Sequence, residues 1–587
     1  MKRFISHLQG ELEQAFVNAG YEAQYGRVTV SNRPDLCEYQ CNGAMACAKQ
    51  YKKAPIMIAN EVLEQLKDSA AFEMLEAVMP GFINIKVSPT VLAGYLRQME
   101  ADEDLSLEKA AEPQRIVIDF GGANVAKPLH VGHLRSAIIG EAVKRMARLK
   151  GHEVIGDAHL GDWGLQMGLI ISWLEKEQPQ LPYFADPQPQ DFPTEAPFTI
   201  DELEQIYPQA SALSKEESEA GLAFREKALT ATGLLQDGHP GYRALWQHII
   251  NVSVADLKKN YDRLEVEFDW WKKESDAQAY IPDMVTYLKE NQYARYDQGA
   301  LVVDVKEETD TKEIPPCMIL KSNGSSLYNT TDLATMIERR QLVDPHRIIY
   351  VVDKRQSLYF EQVFRAAKKT AILKPETDLV FLGFGTMNGK DGKPFKTRAG
   401  GVMRLENLIG EINEAMLAKI NDNRQLADEE ARRTAEMIGL AAIKYGDLSN
   451  QASKDYIFDV DRFTSFEGNT GPYILYTMVR IKSILAKYEG KKATVAAATN
   501  ESEKTLQLVL TRFNEMMDTA YEELAPHKIC AYIYELANAF NKYYHETKIL
   551  GESDETIKAA RIALLTLTLR VFELCIDTLG FYAPERM

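Results

Sequence analysis

Apolar residues recur every four positions at the start of the chain: Phe4, Leu8, Leu12 and Phe16, with Glu11 and Glu13 on the polar side. That spacing predicts an amphipathic helix over 3–18, not the continuous apolar stretch of a signal or transit peptide. A second helix is expected over 58–75. Strands are expected over 27–30 and over 82–87, where Phe82-Ile-Asn-Ile-Lys-Val87 alternates apolar and polar. The charged stretch 101–112 reads as a linker that closes an α+β domain of residues 1–110.

Beyond the linker, Arg115-Ile-Val-Ile-Asp-Phe120 reads as a buried strand, followed by a Gly121-Gly122 loop. A helix is expected over 130–150, with Leu134, Ile138, Ala142, Met146 and Leu149 in one stripe and Gly151 as its C-terminal cap. Glu153-Val-Ile-Gly-Asp157 supplies the next strand. Strand, loop, helix and strand in this order form a βαβ unit, so a parallel sheet is expected. Prolines 179, 182, 187, 189, 193 and 197 interrupt the rhythm and mark an insertion at about 175–295. Strand signals return near 300–304, 347–352 and 378–383, closing a domain of 111–405. After that the pattern is helical, predicting an all-α domain over 406–587.

Composition narrows the class. At roughly 100–200 residues per domain, 587 residues make about three to five domains. Apolar residues at 45% and charged residues at 26% describe a globular chain. The net charge is 68 − 85 = −17, which excludes a general polyanion binder; any nucleic acid must meet a local basic face. No apolar run approaches the ~20 residues of a membrane span, so no membrane partner is expected. Six sparse cysteines fit a reduced, cytoplasmic chain. Cys37, Cys41 and Cys47 lack a fourth ligand at suitable spacing and read as structural thiols, with no bound zinc.

The strongest chemical signal is Asn124-Val-Ala-Lys-Pro-Leu-His-Val-Gly-His133, between the strand and the helix start. A helix N-terminus offers free N–H groups and positive partial charge to a phosphate. Gly132 admits a ligand close to the backbone. His130 and His133 can donate hydrogen bonds to a phosphate whose charge grows in a transition state, and Lys127 adds a full charge. Two surface histidines at a cap are the plainer alternative. Asp119 ends the first strand, where open α/β sheets place ligands, and Tyr328 and Asp332 share a helix face if their segment is helical. Either aspartate could instead be a cap. The loop 389–401 carries Lys390, Lys393, Lys396 and Arg398 between glycines, as a mobile phosphate cover or a solvated basic hairpin would.

Asn124–Gly140 resembles the nucleotide-binding signature of class I aminoacyl-tRNA synthetases in its arginyl form. His159-Leu-Gly-Asp-Trp-Gly-Leu-Gln166, Tyr328-Asn-Thr-Thr-Asp332, Tyr350-Val-Val-Asp-Lys-Arg-Gln356, Gly392-Lys-Pro-Phe-Lys-Thr-Arg398 and Asn469-Thr-Gly-Pro-Tyr-Ile-Leu-Tyr476 are similar to the same family, in its order. The resemblance implies a Rossmann-like, doubly wound parallel-sheet catalytic domain, an N-terminal α+β domain that touches tRNA and an all-α anticodon-binding domain. It implies an arginine–tRNA ligase that uses ATP with Mg²⁺, forms arginyl-adenylate and charges the 3′ end of tRNA(Arg), with tRNA bound before activation.

By the same resemblance, His130, His133, Lys127 and Lys396 are catalytic, and Gly132, His130, His133, Lys393 and Lys396 bind ATP. Asp119, Tyr328, Asp332 and Gln356 meet the guanidinium and its stem, and Asn124 holds the α-amino or carboxylate end. Tyr473, Asn538 and Tyr544 among the C-terminal aromatics, and Gln40, Phe82 and Asn84 near the N-terminus, contact tRNA. About half of the C-terminal aromatics are expected in the core. Three departures stand out. Phe395-Lys-Thr-Arg398 replaces the K-M-S-K-S signature, with Lys127 supplying the missing charge. Gly121-Gly122-Ala123 stands where many relatives have serine and proline. Tyr359 stands where many have a histidine on the ATP side. A same-fold ligase for another amino acid and a non-catalytic RNA-binding paralogue are the other readings; intact His130, Gly132, His133 and Lys396 weigh against the second. Compactness suggests a bacterial monomer.

Overall fold

The structure, a computed structural model, describes residues 3–393, 403–423 and 427–587. Near the N-terminus the helix Phe4–Asn18 buries Phe4, Leu8, Leu12 and Phe16, as its four-residue stripe requires. It accompanies an antiparallel sheet of β1 (Val28–Val30), β2 (Tyr39–Cys41), β3 (Phe72–Val78) and β4 (Phe82–Val87), in the order β1-β2-β4-β3. The helix expected over 58–75 stops at Glu64, and its last residues belong to β3. Phe72-Glu-Met-Leu-Glu-Ala-Val78 has helix-forming residues, but pairing along β4 overrides that propensity. Cys37, Cys41 and Cys47 are buried free thiols.

The chain divides into two compact units. One contains residues 3–110, 465–578 and 582–587. Within it, Lys504 lies between Glu38 at 2.6 Å and Glu73 at 2.7 Å, joining the N-terminal sheet to the C-terminal helices.

The second unit contains the described residues between 111 and 464, together with 579–581. Its central sheet uses β5 (Arg115–Asp119) and β6 (Glu153–Asp157). A separate antiparallel sheet, β7 (Ala294–Asp297), β8 (Ala300–Val303) and β9 (Cys317–Leu320), follows the insertion and takes up the strand expected near 300–304. The central sheet is completed by β10 (Arg347–Asp353) and β11 (Asp378–Phe384). Its order is β11-β10-β5-β6 and every pairing is parallel. Ile116, Val117, Ile118, Ile348, Ile349 and Val351 are buried, as expected of a sheet covered on both faces. The chain leaves β5 toward β6 on one side, while β10 flanks it on the other. The carboxyl ends of β5 and β10 therefore form the topological switch at which such sheets bind ligands.

The helix Leu165–Glu177 leads into the insertion, and helices Ile200–Leu213, Glu219–Gln236 and Pro240–Arg263 fill much of it. Leu405–Asn423 and Asp428–Leu448, expected in the C-terminal domain, lie in the unit of the parallel sheet. A buried ion pair explains this. Arg135, in the helix after β5, bonds Asp447 at 2.9 Å and the carbonyls of Gly385 and Lys454. Among the described residues no helix is long and apolar enough to cross a membrane.

Candidate active site

The histidine turn is closed by its own side chains. Val131–His133 form a 3₁₀ turn that runs into the helix Leu134–Leu149. Gly132 N–H donates to His130 Nδ1 at 3.0 Å, and His130 N–H donates to His133 Nδ1 at 3.2 Å. Val131 N–H bonds Met403 O, and His133 N–H bonds His130 O. The backbone donors expected to meet phosphate are thus already engaged. Because each Nδ1 accepts, each neutral ring carries its proton on Nε2, and these two N–H groups become the donors of the turn. Burial lowers the pKa of both rings, reinforced for His130 by Lys127; His133 is pushed down to about 3. The rings lie 3.9 Å apart between centroids, so they form one unit. Glycine is needed at 132 because a Cβ there would come within 2.7 Å of the His130 ring. The space expected for a ligand is filled by that ring.

Lys127 is half-buried, with its ammonium 4.1 Å from the centre of the Tyr207 ring, and burial lowers its pKa. Asn124 is exposed and bridges to Gly161, with Val125 N–H bonding Gly161 O at 3.0 Å. A Cβ at 161 would lie 2.1 Å from Asn124 Oδ1, so only glycine lets the two loops close. Asn124, Gly161, Tyr207, Glu274 and Tyr328 line one cleft of about 420 Å³, with Lys215 and Arg225 also in its lining.

The carboxylates gather beside this cleft. The helix Tyr328–Val343 presents Tyr328, Asp332 and Arg339 at spacings of four and seven, on one face. Tyr328 is 68% exposed at its first turn. Arg339 is buried, and its Nη2 bonds Asp119 at 2.6 Å and Asp157 at 2.7 Å, while Nη1 donates to the Tyr350 hydroxyl. Asp119 thus already pairs with an internal guanidinium through one oxygen. Asp332 forms no such ion pair among the described residues and accepts a hydrogen bond from Tyr359. Burial raises the pKa of Asp332, and the nearby Asp119 adds to the rise. Glu274 is pushed up to about 7 by burial, with Asp162 and Asp332 acting in the same direction. Burial opposes protonation of His159, but Asp157 and Asp119 outweigh it and raise its pKa. Gln356 is exposed at the N-cap of the helix Ser357–Lys369, past the end of β10.

The place of Tyr359, left open by the sequence, is given by the structure. The residue faces the carboxylates, donating a hydrogen bond to Asp332 Oδ2. Sequence reasoning missed Arg339, seven residues beyond the Tyr328–Asp332 motif on the same helix, and Glu274 and Tyr207, which lie in segments with no motif of their own. In the basic loop, Lys390 is held by Asp459 and Asp461, whereas Lys393 is exposed. Lys396 and Arg398 lie outside the described residues.

Two surfaces of the other unit carry the residues expected to meet nucleic acid. Asn84 is only 6% exposed and its amide oxygen accepts from Gln40 at 2.9 Å, so it is removed from the surface as a direct contact. Gln40 and Phe82 are partly exposed. In the C-terminal helices, Tyr532, Phe540 and Tyr543 are core, while Tyr476 and Tyr544 are exposed. The Tyr473 hydroxyl donates to Asn538 at 2.8 Å and accepts from Asn541. Arg480 bonds Asn541 and lies 4.8 and 5.2 Å from the Tyr476 and Tyr544 rings. Rings, amides and a guanidinium therefore converge on one patch.

Three family models match in sequence: the arginyl tRNA synthetase N-terminal domain over 2–87, the class I (R) tRNA synthetase catalytic domain over 96–460, and the DALR anticodon binding domain over 474–587. The chain is 60% identical over 601 residues to an arginine–tRNA ligase of Agathobacter rectalis and 57% identical over 591 residues to one of Alkaliphilus oremlandii, covering 100% of every chain. Its fold is that of the solved arginyl-tRNA synthetases of Plasmodium falciparum (TM-score 0.82, 24% identity) and Thermus thermophilus (TM-score 0.79, 21% identity), again over 100% of both chains. The three matched segments follow one another along the chain in the order in which sheet, site and helices have been described, and the chain belongs to the class I arginyl-tRNA synthetases.

Proposed function

We propose that the protein is an arginine–tRNA ligase in which the carboxylate cluster reads arginine and the histidine turn handles ATP. One observation carries this reading: Glu274 lines a cleft with Asn124 and Tyr328, Asp332 lies close enough to Glu274 to raise its pKa, and the histidine turn presents neutral imidazole donors. The guanidinium meets Asp332, with Tyr328 and Gln356 along its stem and Asp119 completing the negative wall. Asn124 and Glu274 take the α-amino end. The arginine carboxylate attacks the α-phosphorus of ATP; a P–O bond forms to the carboxylate and the bond to pyrophosphate breaks. His130 and His133 donate from Nε2 to the phosphate oxygens as charge builds, and Lys127, Lys393 and Lys396 balance the triphosphate. A hydroxyl of the tRNA 3′ end then attacks the arginyl carbonyl and AMP leaves.

Mg²⁺ arrives with ATP. Among the described residues no group of three His, Cys, Asp or Glu could hold a metal ion, so the phosphates supply its anionic ligands. The enzyme works as a cytoplasmic monomer. The test is amino-acid-dependent pyrophosphate exchange over the twenty amino acids, with and without tRNA. Exchange with arginine alone, and only with tRNA present, is expected. Exchange with another amino acid would overturn the pocket assignment; none at all, with tRNA still bound, would leave a non-catalytic RNA-binding protein.

Tyr473, Asn538 and Tyr544 read the anticodon, and Gln40 and Phe82 touch the tRNA body. Loss of a stacking ring costs about 1–3 kcal/mol per base. Tyr544→Ala is therefore expected to raise KM for tRNA by about 5- to 140-fold while KM for ATP stays unchanged. Equal KM values for tRNA in the two proteins would remove Tyr544 from the interface.

A further inference from the structure

Three carboxylates lie close together, Asp119 and Asp157 in register at the ends of β5 and β6 and Asp332 near Asp119 on the helix Tyr328–Val343, and their partners differ. Asp119 and Asp157 share the internal guanidinium of Arg339. Asp332 receives the hydroxyl of Tyr359, and among the described residues no other hydrogen-bond donor reaches its carboxylate. Tyr359 stands on the helix Ser357–Lys369, three residues after Gln356, so the two occupy one side of its first turn. Its ring packs edge-on against Phe360 at 5.1 Å, and the phenol reaches across to the helix Tyr328–Val343.

This arrangement bears on how a guanidinium is read. A planar fork of N–H donors bonds a carboxylate well only when the two planes match. An aspartate beside a cleft, with the like charge of Asp119 near it, turns away or takes up a proton unless something holds it. A donor fixed on Oδ2 sets the plane, favours the ionised form and leaves Oδ1 with the remaining lone pair of Oδ2 for the ligand.

We propose that Tyr359 is a positioning residue for arginine recognition, its hydroxyl fixing the Asp332 carboxylate in the orientation that accepts the guanidinium. The proposal rests on the assignment of Asp332 to arginine. A purely structural bond, joining two helices, is the competing explanation. It predicts a lower melting temperature for Tyr359→Phe and unchanged arginine affinity.

The test measures arginine binding to the full-length protein by calorimetry and kinetics by tRNA-dependent exchange, for wild type, Tyr359→Phe, Tyr359→His and Asp332→Asn, with melting curves alongside. Tyr359→Phe deletes one hydrogen bond to a charged group and is expected to weaken arginine about tenfold in both Kd and KM. At saturating arginine, kcat and KM for ATP are expected to stay within about twofold. Tyr359→His restores a ring N–H and is expected to recover most of the loss. Wild-type arginine affinity in Tyr359→Phe would overturn the proposal. So would a proportional change of kcat and both KM values, or a Tyr359→His variant no better than Tyr359→Phe. Wild-type affinity in Asp332→Asn would overturn the underlying assignment of Asp332, and the proposal with it.

Discussion

Asp332→Asn is expected to lower kcat/KM for arginine by about 1,000-fold, with KM for ATP nearly unchanged. Truncating one partner of a buried ion pair costs about 3–5 kcal/mol, and every 1.4 kcal/mol is a factor of ten. Asparagine keeps the volume and can still accept from Tyr359, so the site survives while its charge is removed. The guanidinium then enters a pocket in which Asp119 already pairs with Arg339. Asp119→Asn is expected to behave differently. It releases one of the two carboxylates on Arg339, leaving Asp157 alone with that cation, so it lowers the melting temperature as well as arginine use. Exchange rates and melting curves for both variants separate the roles. An Asp332→Asn enzyme within tenfold of wild type would place the guanidinium elsewhere.

The asymmetry between the two aspartates illustrates what a sequence can reveal. Asp119 is visible because it ends a run of buried Ile and Val, and such runs announce parallel strands. The stripe Leu134–Leu149 and the histidine turn are visible because their signals are local. Arg339 looks like any charged residue near a helix end, yet it is buried and forms two ion pairs, one with a strand 220 residues away. Glu274 and Tyr207 belong to the insertion, where only the tertiary fold brings them to the cleft. The strand β3 was hidden for a related reason: its residues favour helix, and the pairing that overrules them lies in the next strand. The helices after 405 read correctly as helices. Their place beside the sheet depends on Asp447 meeting Arg135, a contact that no periodicity encodes.

The histidine turn makes the second large prediction. His133→Asn should cut kcat for exchange by about 100- to 1,000-fold, the usual loss when one preorganised donor to a developing negative charge is removed. Asparagine at 133 can still accept the His130 N–H near the position of Nδ1, but it has no donor near Nε2, so the turn persists and the chemistry suffers. His130→Asn is expected to fall in the same range. The double variant should lose less than the product of the two, because the rings share hydrogen bonds and are 3.9 Å apart. The low pKa of His133, about 3, adds a second readout. Both rings are neutral at neutral pH, so kcat should show no imidazole limb from them between about pH 6 and 8. Stability carries the sign instead. The unfolded chain takes up a proton at 133 near the ordinary imidazole pKa of about 6.5, while the folded ring refuses it until about 3. Stability therefore falls as pH drops from about 6.5 toward 3, and His133→Asn should lessen that fall. A variant with wild-type kcat and the wild-type acid profile would mean that the turn is built for shape alone, and that the growing phosphate charge is met by the lysines.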